Sequence, residues 1–238
     1  MGKNIIAQAR GHGGPTYRSP SFRYEGRAAH PHQVLVTVTG HVLSLIHCQG
    51  HSAPLAEVEY DNGETALLLA PEGLRVGDVV MSGPEAPLDI GNTVPLKSLP
   101  EGTMIYNIES TPGDGGKFVR ASGSFARIVT KMENKIVIKL PSKKQREFHP
   151  ECRANVGIIA GGGRLEKPFL KAGVRFYKMR AKNKLWPQTS GNAMNAVDHP
   201  FGNKRSLRKS KARPVSRHAP PGRKVGMIAA RRTGRKKM

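Results

Sequence analysis

Ala56-Glu57-Val58-Glu59-Tyr60-Asp61-Asn62-Gly63-Glu64-Thr65-Ala66-Leu67-Leu68-Leu69-Ala70 is the stretch that decides the fold class. Ala56, Val58 and Tyr60 alternate with Glu57 and Glu59, so one face is apolar and the other charged, which is the period of a half-buried strand. Asp61-Asn62-Gly63-Glu64 supplies the tight reversal, and residues 65–70 return as a second strand. Working outward, Val34, Val36 and Val38 alternate with Leu35, Thr37 and Thr39, and residues 42–46 continue the strand pattern past Gly40. Pro71-Glu72-Gly73 is another turn, and residues 75–81 form a short strand broken at Gly77-Asp78. Short strands with a turn every few residues predict a small OB-like β-barrel over 34–90.

The residues from Gly83 to Pro100 include Pro84, Pro87, Pro95 and Pro100 and read as a connection. A second strand set follows at 103–108, 124–132, 135–140, 146–148 and 154–160. Glu133-Asn134 lies where a two-residue hairpin turn belongs, and Ile136, Ile138 and Leu140 share one face of the outgoing strand. This predicts an SH3-like barrel over 91–173. Beyond Gly161-Gly162-Gly163-Arg164 the apolar periodicity ends and no long helix is predicted. The expected class is mostly β, with basic, irregular extensions at 1–33 and 174–238.

Charge follows the same division. Of 39 Lys and Arg and 17 Asp and Glu, residues 141–238 hold 26 basic and 4 acidic groups, whereas residues 34–140 hold 8 basic and 12 acidic. Residues 174–238 carry 19 basic groups and a single acid, Asp198. A strand-rich acidic body between basic, Gly- and Pro-rich ends is the layout of a module whose extensions lie against a polyanion. Such a tail repels itself and buries little apolar surface, so it is expected to remain largely unfolded until phosphates neutralise it. The two cysteines, Cys48 and Cys152, form no disulfide framework and fit a reducing compartment. No apolar run approaches the roughly 18 residues of a membrane span, so no membrane partner is expected.

Candidate contact residues come from the basic segments. In the N-terminal arm Arg10, Arg18, Arg23 and Arg27 recur with Tyr17, Phe22 and Tyr24 between them, which suits phosphate contact with base stacking or, equally, a solvated terminus. Ser110-Thr111-Pro112-Gly113-Asp114-Gly115-Gly116-Lys117 lacks the spacing and following helix of a Walker loop. It reads as backbone amides approaching a phosphate neutralised by Lys117 and Arg120, or else as a long turn; phosphate contact is favoured, together with Arg127 and Arg164. Lys167, Lys171, Arg180, Lys182, Lys184, Lys204, Arg205, Arg217, Arg223, Lys224, Arg231 and Arg232 extend the cationic set, with Asn195 and His199 as polar contacts. Trp186 has almost no core around it and is expected to stack on a base or pack at an RNA-bound turn. His41, His47, Cys48 and His51 cluster on the first module, and a zinc site could be drawn from His47, Cys48 and His51, but the adjacent ligands at 47 and 48 suit a tetrahedral ion poorly, so no metal or cofactor is expected. Asp198-His199 has no third group arranged for catalysis, so no catalytic residue is assigned.

Ser52-Ala53-Pro54-Leu55-Ala56, Leu69-Ala70-Pro71-Glu72-Gly73, Pro112-Gly113-Asp114-Gly115-Gly116-Lys117-Phe118, Gly161-Gly162-Gly163-Arg164, Lys167-Pro168, Ala193-Met194-Asn195, Val197-Asp198-His199-Pro200-Phe201-Gly202 and Ala219-Pro220-Pro221-Gly222-Arg223-Lys224-Val225-Gly226 together resemble the archaeal-type members of the universal large-ribosomal-subunit protein two family. The resemblance covers nearly the whole chain. It implies an OB-like domain followed by an SH3-like domain, with both extensions threaded into large-subunit rRNA in the cytoplasmic ribosome. It also implies a structural role in translation near the peptidyl transferase centre, support of subunit association with contact to the small subunit, and neighbouring ribosomal proteins as partners. No enzymatic activity and no self-association are expected. The matching family histidine, at His199, lies in the segment nearest that centre, where RNA is assigned the chemistry. Against this reading stand a DNA-packaging protein, disfavoured by the lack of any groove-reading helix, and an enzyme built on Asp198 and His199, which lacks a pocket.

Overall fold

The computed structural model describes residues 3–32, 36–203 and 214–231. The chain divides into two units, Ser21–Leu170 and a second made of Met1–Pro20 together with Lys171–Met238.

The larger unit is built on strands. In chain order these are β1 (Val38–Ile46), β2 (Leu55–Tyr60), β3 (Thr65–Leu69), β4 (Val79–Ser82), β5 (Thr93–Pro95), β6 (Met104–Tyr106), β7 (Ala126–Lys131), β8 (Ile136–Lys139), β9 (Gln145–Phe148) and β10 (Arg153–Val156). They form one ten-stranded sheet in the order β3-β2-β1-β4-β5-β10-β6-β7-β8-β9. The hairpin that opened the sequence reading is β2–β3, with Glu59 opposite Thr65. Tyr60 N–H donates to Glu64 O, Gly63 N–H donates to Tyr60 O, and Gly63 takes φ of 79°, which a side chain would resist. The second expected turn is present too: Met132 N–H donates to Lys135 O around Glu133-Asn134, joining β7 to β8.

Alternation decides what is buried. Val42, Ala56, Val58, Tyr60, Leu68 and Val80 pack under the first strands, and Ile105, Ile128, Ile136, Ile138 and Phe148 under the last ones. A third cluster of Ala28, Cys48, Leu55, Leu69, Tyr106 and Ile159 continues the packing. Truncating Ile138, which is fully buried, would cost about 2–5 kcal/mol.

Three features depart from the sequence reading. The segment expected to be a plain connection contains β5, which pairs with β4 on one side and β10 on the other and so makes the sheet continuous. The segment expected to be an arm through residue 33 is buried at Ala28, His30 and Pro31; Ala29 N–H donates to Leu67 O and His30 N–H to Gly115 O. The third is a helix in the C-terminal extension, α2 (Ala172–Ala181). It follows a short N-terminal helix, α1 (Ile6–Gly11), within the smaller unit. None of the ten residues of α2 is buried, so no apolar stripe announces it. Its end is well defined: Asn183 lies at φ of 48°, its N–H donates to Arg180 O, and Lys184 N–H donates to Met179 O, a Schellman closure. No helix among the described residues is long and apolar enough to cross a membrane.

A buried polar network lies within the larger unit. Arg153 donates from Nη2 and Nε to Glu109 Oε1 at 2.9 and 3.2 Å, and from Nη1 to Pro31 O at 2.8 Å. His30 Nε2–H donates to Asn107 O at 2.6 Å, while Nδ1 has no partner among the described residues. Burial, with the nearby Arg153 charge, lowers the His30 pKa to about 4. The native state therefore holds His30 neutral where the unfolded chain, at about 6.5, protonates it. Stability from this group should be fully present above about pH 6.5 and lost as pH falls towards 4, on the order of 3 kcal/mol in total. Denaturant midpoints measured across that window should fall with pH, and His30→Gln, which retains a donor for Asn107 O, should flatten the slope. An equally steep slope in the variant would assign the effect elsewhere.

Candidate nucleic-acid interface

In the smaller unit, three segments far apart in sequence converge. Residues 194–203 close a tight loop in which Asp198 and His199 N–H groups both donate to Asn195 O, Gly202 N–H donates to His199 O, and Asn203 N–H donates to Met194 O. A Cβ on Gly202 would lie 2.3 Å from Asn195 O, so only glycine lets the two backbone strands approach this closely. The loop is joined to the N-terminal segment by Lys3 N–H donating to Val197 O and by the Lys3–Asp198 ion pair at 2.6 Å. Gly222 approaches the side chain of Gln8 on α1, which brings in the third segment. Between them lies an open polar cleft lined by Lys3, Gln8, His199, Pro200 and Gly222, with Arg223 and Lys224 exposed directly after it.

His199 is held rather than primed. Its Nδ1 accepts the Phe201 N–H at 3.1 Å, which places the neutral ring's proton on Nε2. The Phe201 ring lies 5.1 Å away, and the imidazole covers Gly191 so closely that a Cβ there would meet it at 2.4 Å. Asp198 gives its carboxylate to Lys3. The adjacent acid and histidine thus form no proton-relay pair, and His199 presents a single donor nitrogen.

A second cluster surrounds Trp186. Its ring lies 6.5 Å from Phe176 on α2, and the Arg175 guanidinium sits over it at 5.8 Å. Arg175 was not singled out by the sequence reading, although Arg175-Phe176-Tyr177 carries the same cation–aromatic interleaving that drew attention to the N-terminal arm. Half of the Trp186 expectation changes accordingly: the ring is half-buried against its own chain, and the face of the cluster is shared with a cation. Arg180 and Lys184 are exposed nearby in sequence, and Lys182 is half-buried. The Asn183 side chain donates to Thr16 O and Arg18 O at 2.6 Å each, fastening the N-terminal segment to the end of α2. In that segment Arg10 lies 5.6 Å from the Tyr17 ring centroid, and Arg18 Nε donates to Gly13 O. Lys171, Asn195, Arg217 and Arg231 are exposed, while Lys204, Arg205 and Arg232 lie outside the described residues.

In the larger unit the glycine-rich loop corrects the sequence reading. The Gly113 and Gly115 amides donate to Glu109, and the Ser110, Thr111 and Gly116 amides donate to Asp114. These donors serve the protein's own carboxylates, so the loop is not a backbone cradle for phosphate. Arg120 is likewise turned inward: it donates to Gly116 O at 2.9 Å and Ala28 O at 2.6 Å, and burial, then the Arg27 charge, lowers its pKa while Asp114 opposes. Lys117 and Lys167 remain exposed, as does Arg127. Arg164 is half-buried and donates to Ser122 Oγ. Arg23 lies over the exposed Phe22 ring at 5.2 Å. At the first histidine cluster His51 Nδ1 lies 3.2 Å from Cys48 Sγ, and no group of three metal-ligating side chains exists among the described residues.

Comparison with known proteins finds matches over both parts of the chain. The family model for the RNA binding N-terminal domain of ribosomal proteins L2 matches residues 6–82, and that for their C-terminal domain matches residues 89–219. The large ribosomal subunit protein uL2 of Archaeoglobus fulgidus is 50% identical over 234 residues, covering 98% of this chain and 99% of its own. The protein of the same name from Methanothermobacter thermautotrophicus is 50% identical over 241 residues and is covered in full. That from Methanopyrus kandleri is 49% identical over 239 residues, 99% of this chain and 98% of its own. With both family models matched in order and similarity running end to end, the chain belongs to the ribosomal protein L2 family.

Proposed function

We propose that this protein is a structural, non-catalytic constituent of the large ribosomal subunit in the cytoplasm, binding rRNA chiefly through the unit formed by its two ends. On this reading residues 34–90 act as an OB-like barrel and 91–173 as an SH3-like barrel, and the extensions 1–33, outside the buried stretch 28–31, and 174–238 follow rRNA. The segment around His199 then organises RNA near the peptidyl transferase centre. Neighbouring ribosomal proteins are further partners, and subunit association is supported through contact with the small subunit.

One observation carries the proposal. Asp198 is the single acidic side chain between residues 174 and 238, and residues 1–20 contain none. Lys3 already neutralises Asp198. The sequence of this unit therefore holds no second acidic side chain to set against its remaining positive charge, which is the electrostatic condition that a polyphosphate partner relieves. Arg175 over Trp186 and the Nε2 donor of His199 add a stacking face and a polar contact. The ten-residue α2 removes the absence of a helix as an argument against duplex DNA. Family membership takes its place.

Competition at fixed salt between a folded large-subunit rRNA domain and duplex DNA of equal length should favour the rRNA. If about 6–10 phosphates are neutralised, affinity should weaken roughly 10³–10⁵-fold between 50 and 200 mM salt. A log–log slope shallower than about −3, or preference for the duplex, would overturn the reading.

The His199 loop separates scaffold from catalyst. Gly202→Ala drives a methyl into Asn195 O, and such overpacking costs about 1–3 kcal/mol, so incorporation into reconstituted subunits should fall about tenfold. His199→Ala should likewise lower the yield of assembled particles, while single-turnover peptide transfer in particles with correctly folded rRNA stays near wild type. A large rate loss in such particles would instead make His199 part of the chemistry.

A further inference from the structure

We infer that the cleft formed by residues 25–32 with strands β1, β2 and β3 is a docking site for an arginine side chain of a neighbouring protein; the inference rests on the reading above that such proteins are partners. The cleft is open and holds about 480 Å³, within the roughly 300–1,000 Å³ of small-ligand sites. Three carboxylates line it, Glu25, Glu57 and Glu64, with Ile46 and Leu67 as apolar walls. Ala56, Val58 and Tyr60 turn to the core, so Glu57 stands on the opposite face of β2, paired with Ser44 of β1 and Leu67 of β3. Its Oε2 accepts the Ser44 hydroxyl at 2.8 Å, which fixes the carboxylate and leaves Oε1 without a partner among the described residues. Glu25 is exposed and has no ion pair among the described residues.

A buried group lines the same cleft. His30 is only 6% exposed, and its Nε2 lies 2.6 Å from Asn107 O. A carbonyl oxygen only accepts, so the ring proton sits on Nε2, and Nδ1 is a lone-pair acceptor with no partner among the described residues. The protein's own cations at the cleft leave most of these acceptors unused. Arg27 donates to Asp114 O at 3.2 Å, and His32 engages Glu64 alone. The acceptors are too dispersed for a metal ion, since no group of three metal-ligating side chains exists among the described residues. Dispersed acceptors match a planar cation with several donors, which is a guanidinium, and its methylene stem suits Ile46 and Leu67. A phosphate would meet three carboxylates here, so the cleft discriminates against RNA. Charge also selects a basic protein as the occupant, because residues 34–140 hold 12 acids against 8 bases.

The test uses the full chain with isotope-labelled histidine nitrogens and a capped Gly-Ser-Arg-Ser-Gly peptide. At neutral pH the peptide should move the His30 Nδ1 resonance towards the hydrogen-bonded range. Its citrulline counterpart, which keeps the shape and loses the charge, should bind about tenfold more weakly. Glu25→Gln with Glu57→Gln should weaken the arginine peptide about tenfold as well, while rRNA affinity and its salt slope stay at wild-type values. The amide at position 57 keeps an acceptor for Ser44, so the thermal midpoint should hold. In reconstituted subunits, a photo-crosslinker on Thr65→Cys, an exposed position lining the cleft, should attach to an arginine-bearing segment of another protein. The double glutamine variant should lose that attachment. An unmoved His30 resonance, equal binding of the citrulline peptide, or attachment to rRNA or to a segment without arginine would each overturn the inference. Spermidine moving the resonance at lower concentration than the peptide would assign the cleft to a free polyamine and overturn the protein partner. Failure of the wild type to bind rRNA would instead sink the earlier reading and leave the peptide result standing.

Discussion

The buried Glu109–Arg153 pair, reaching out from strand β10, is the contact on which the larger unit depends. Two charges taken out of water cost several kcal/mol each, and their attraction offsets this only when the remaining donors and acceptors are also satisfied. Here they are. Glu109 accepts from the Arg153 side chain and its backbone N–H, and from the Gly113 and Gly115 amides. Burial alone would raise the Glu109 pKa, but the hydrogen bonds and charge of Arg153 outweigh it and hold the carboxyl below its usual range. The same guanidinium reaches Pro31 O, so a single pair fixes strand β10, the glycine-rich loop and the incoming N-terminal segment.

That arrangement separates two uses of arginine within one basic chain. Arg120 and Arg153 spend their donors on carbonyls and a carboxylate and hold the body together. Arg175 over Trp186, and Arg127 facing Lys139, give their guanidinium groups to no carboxylate among the described residues. Net charge cannot distinguish these roles. What distinguishes them is whether acceptors lie within reach once the strands have assembled.

The β2–β3 and β7–β8 hairpins were legible because both halves of each signal are local: alternation in the strands and turn chemistry at Asp61-Asn62-Gly63-Glu64 and Glu133-Asn134. Strand β5 was not, because three residues among prolines carry no period and acquire their pairing from β4 and β10, distant in sequence. Helix α2 escaped for the opposite reason, since a helix that buries none of its residues shows no apolar stripe. The glycine-rich loop misled because nothing in the sequence marks Glu109 and Asp114 as the acceptors that occupy its amides. Lys3, which neutralises Asp198, lies at the far end of the chain, so the true partner of Asp198 could not be read from its neighbour His199.

The hydrogen bonds from Asn183 to Thr16 and Arg18, and the Lys3–Asp198 pair, have a consequence for how the chain is made. A polypeptide is synthesised from its N-terminus, so the residues that emerge first complete their contacts last. The strands of Ser21–Leu170 can close while the opening segment still waits for partners more than 160 positions downstream. During that interval Arg10 and Arg18 have only their local contacts to Tyr17 and Gly13, and no carboxylate, in a cell full of nucleic acid. Timing in the nascent chain, as much as equilibrium affinity, then determines which polyanion meets the N-terminal segment first.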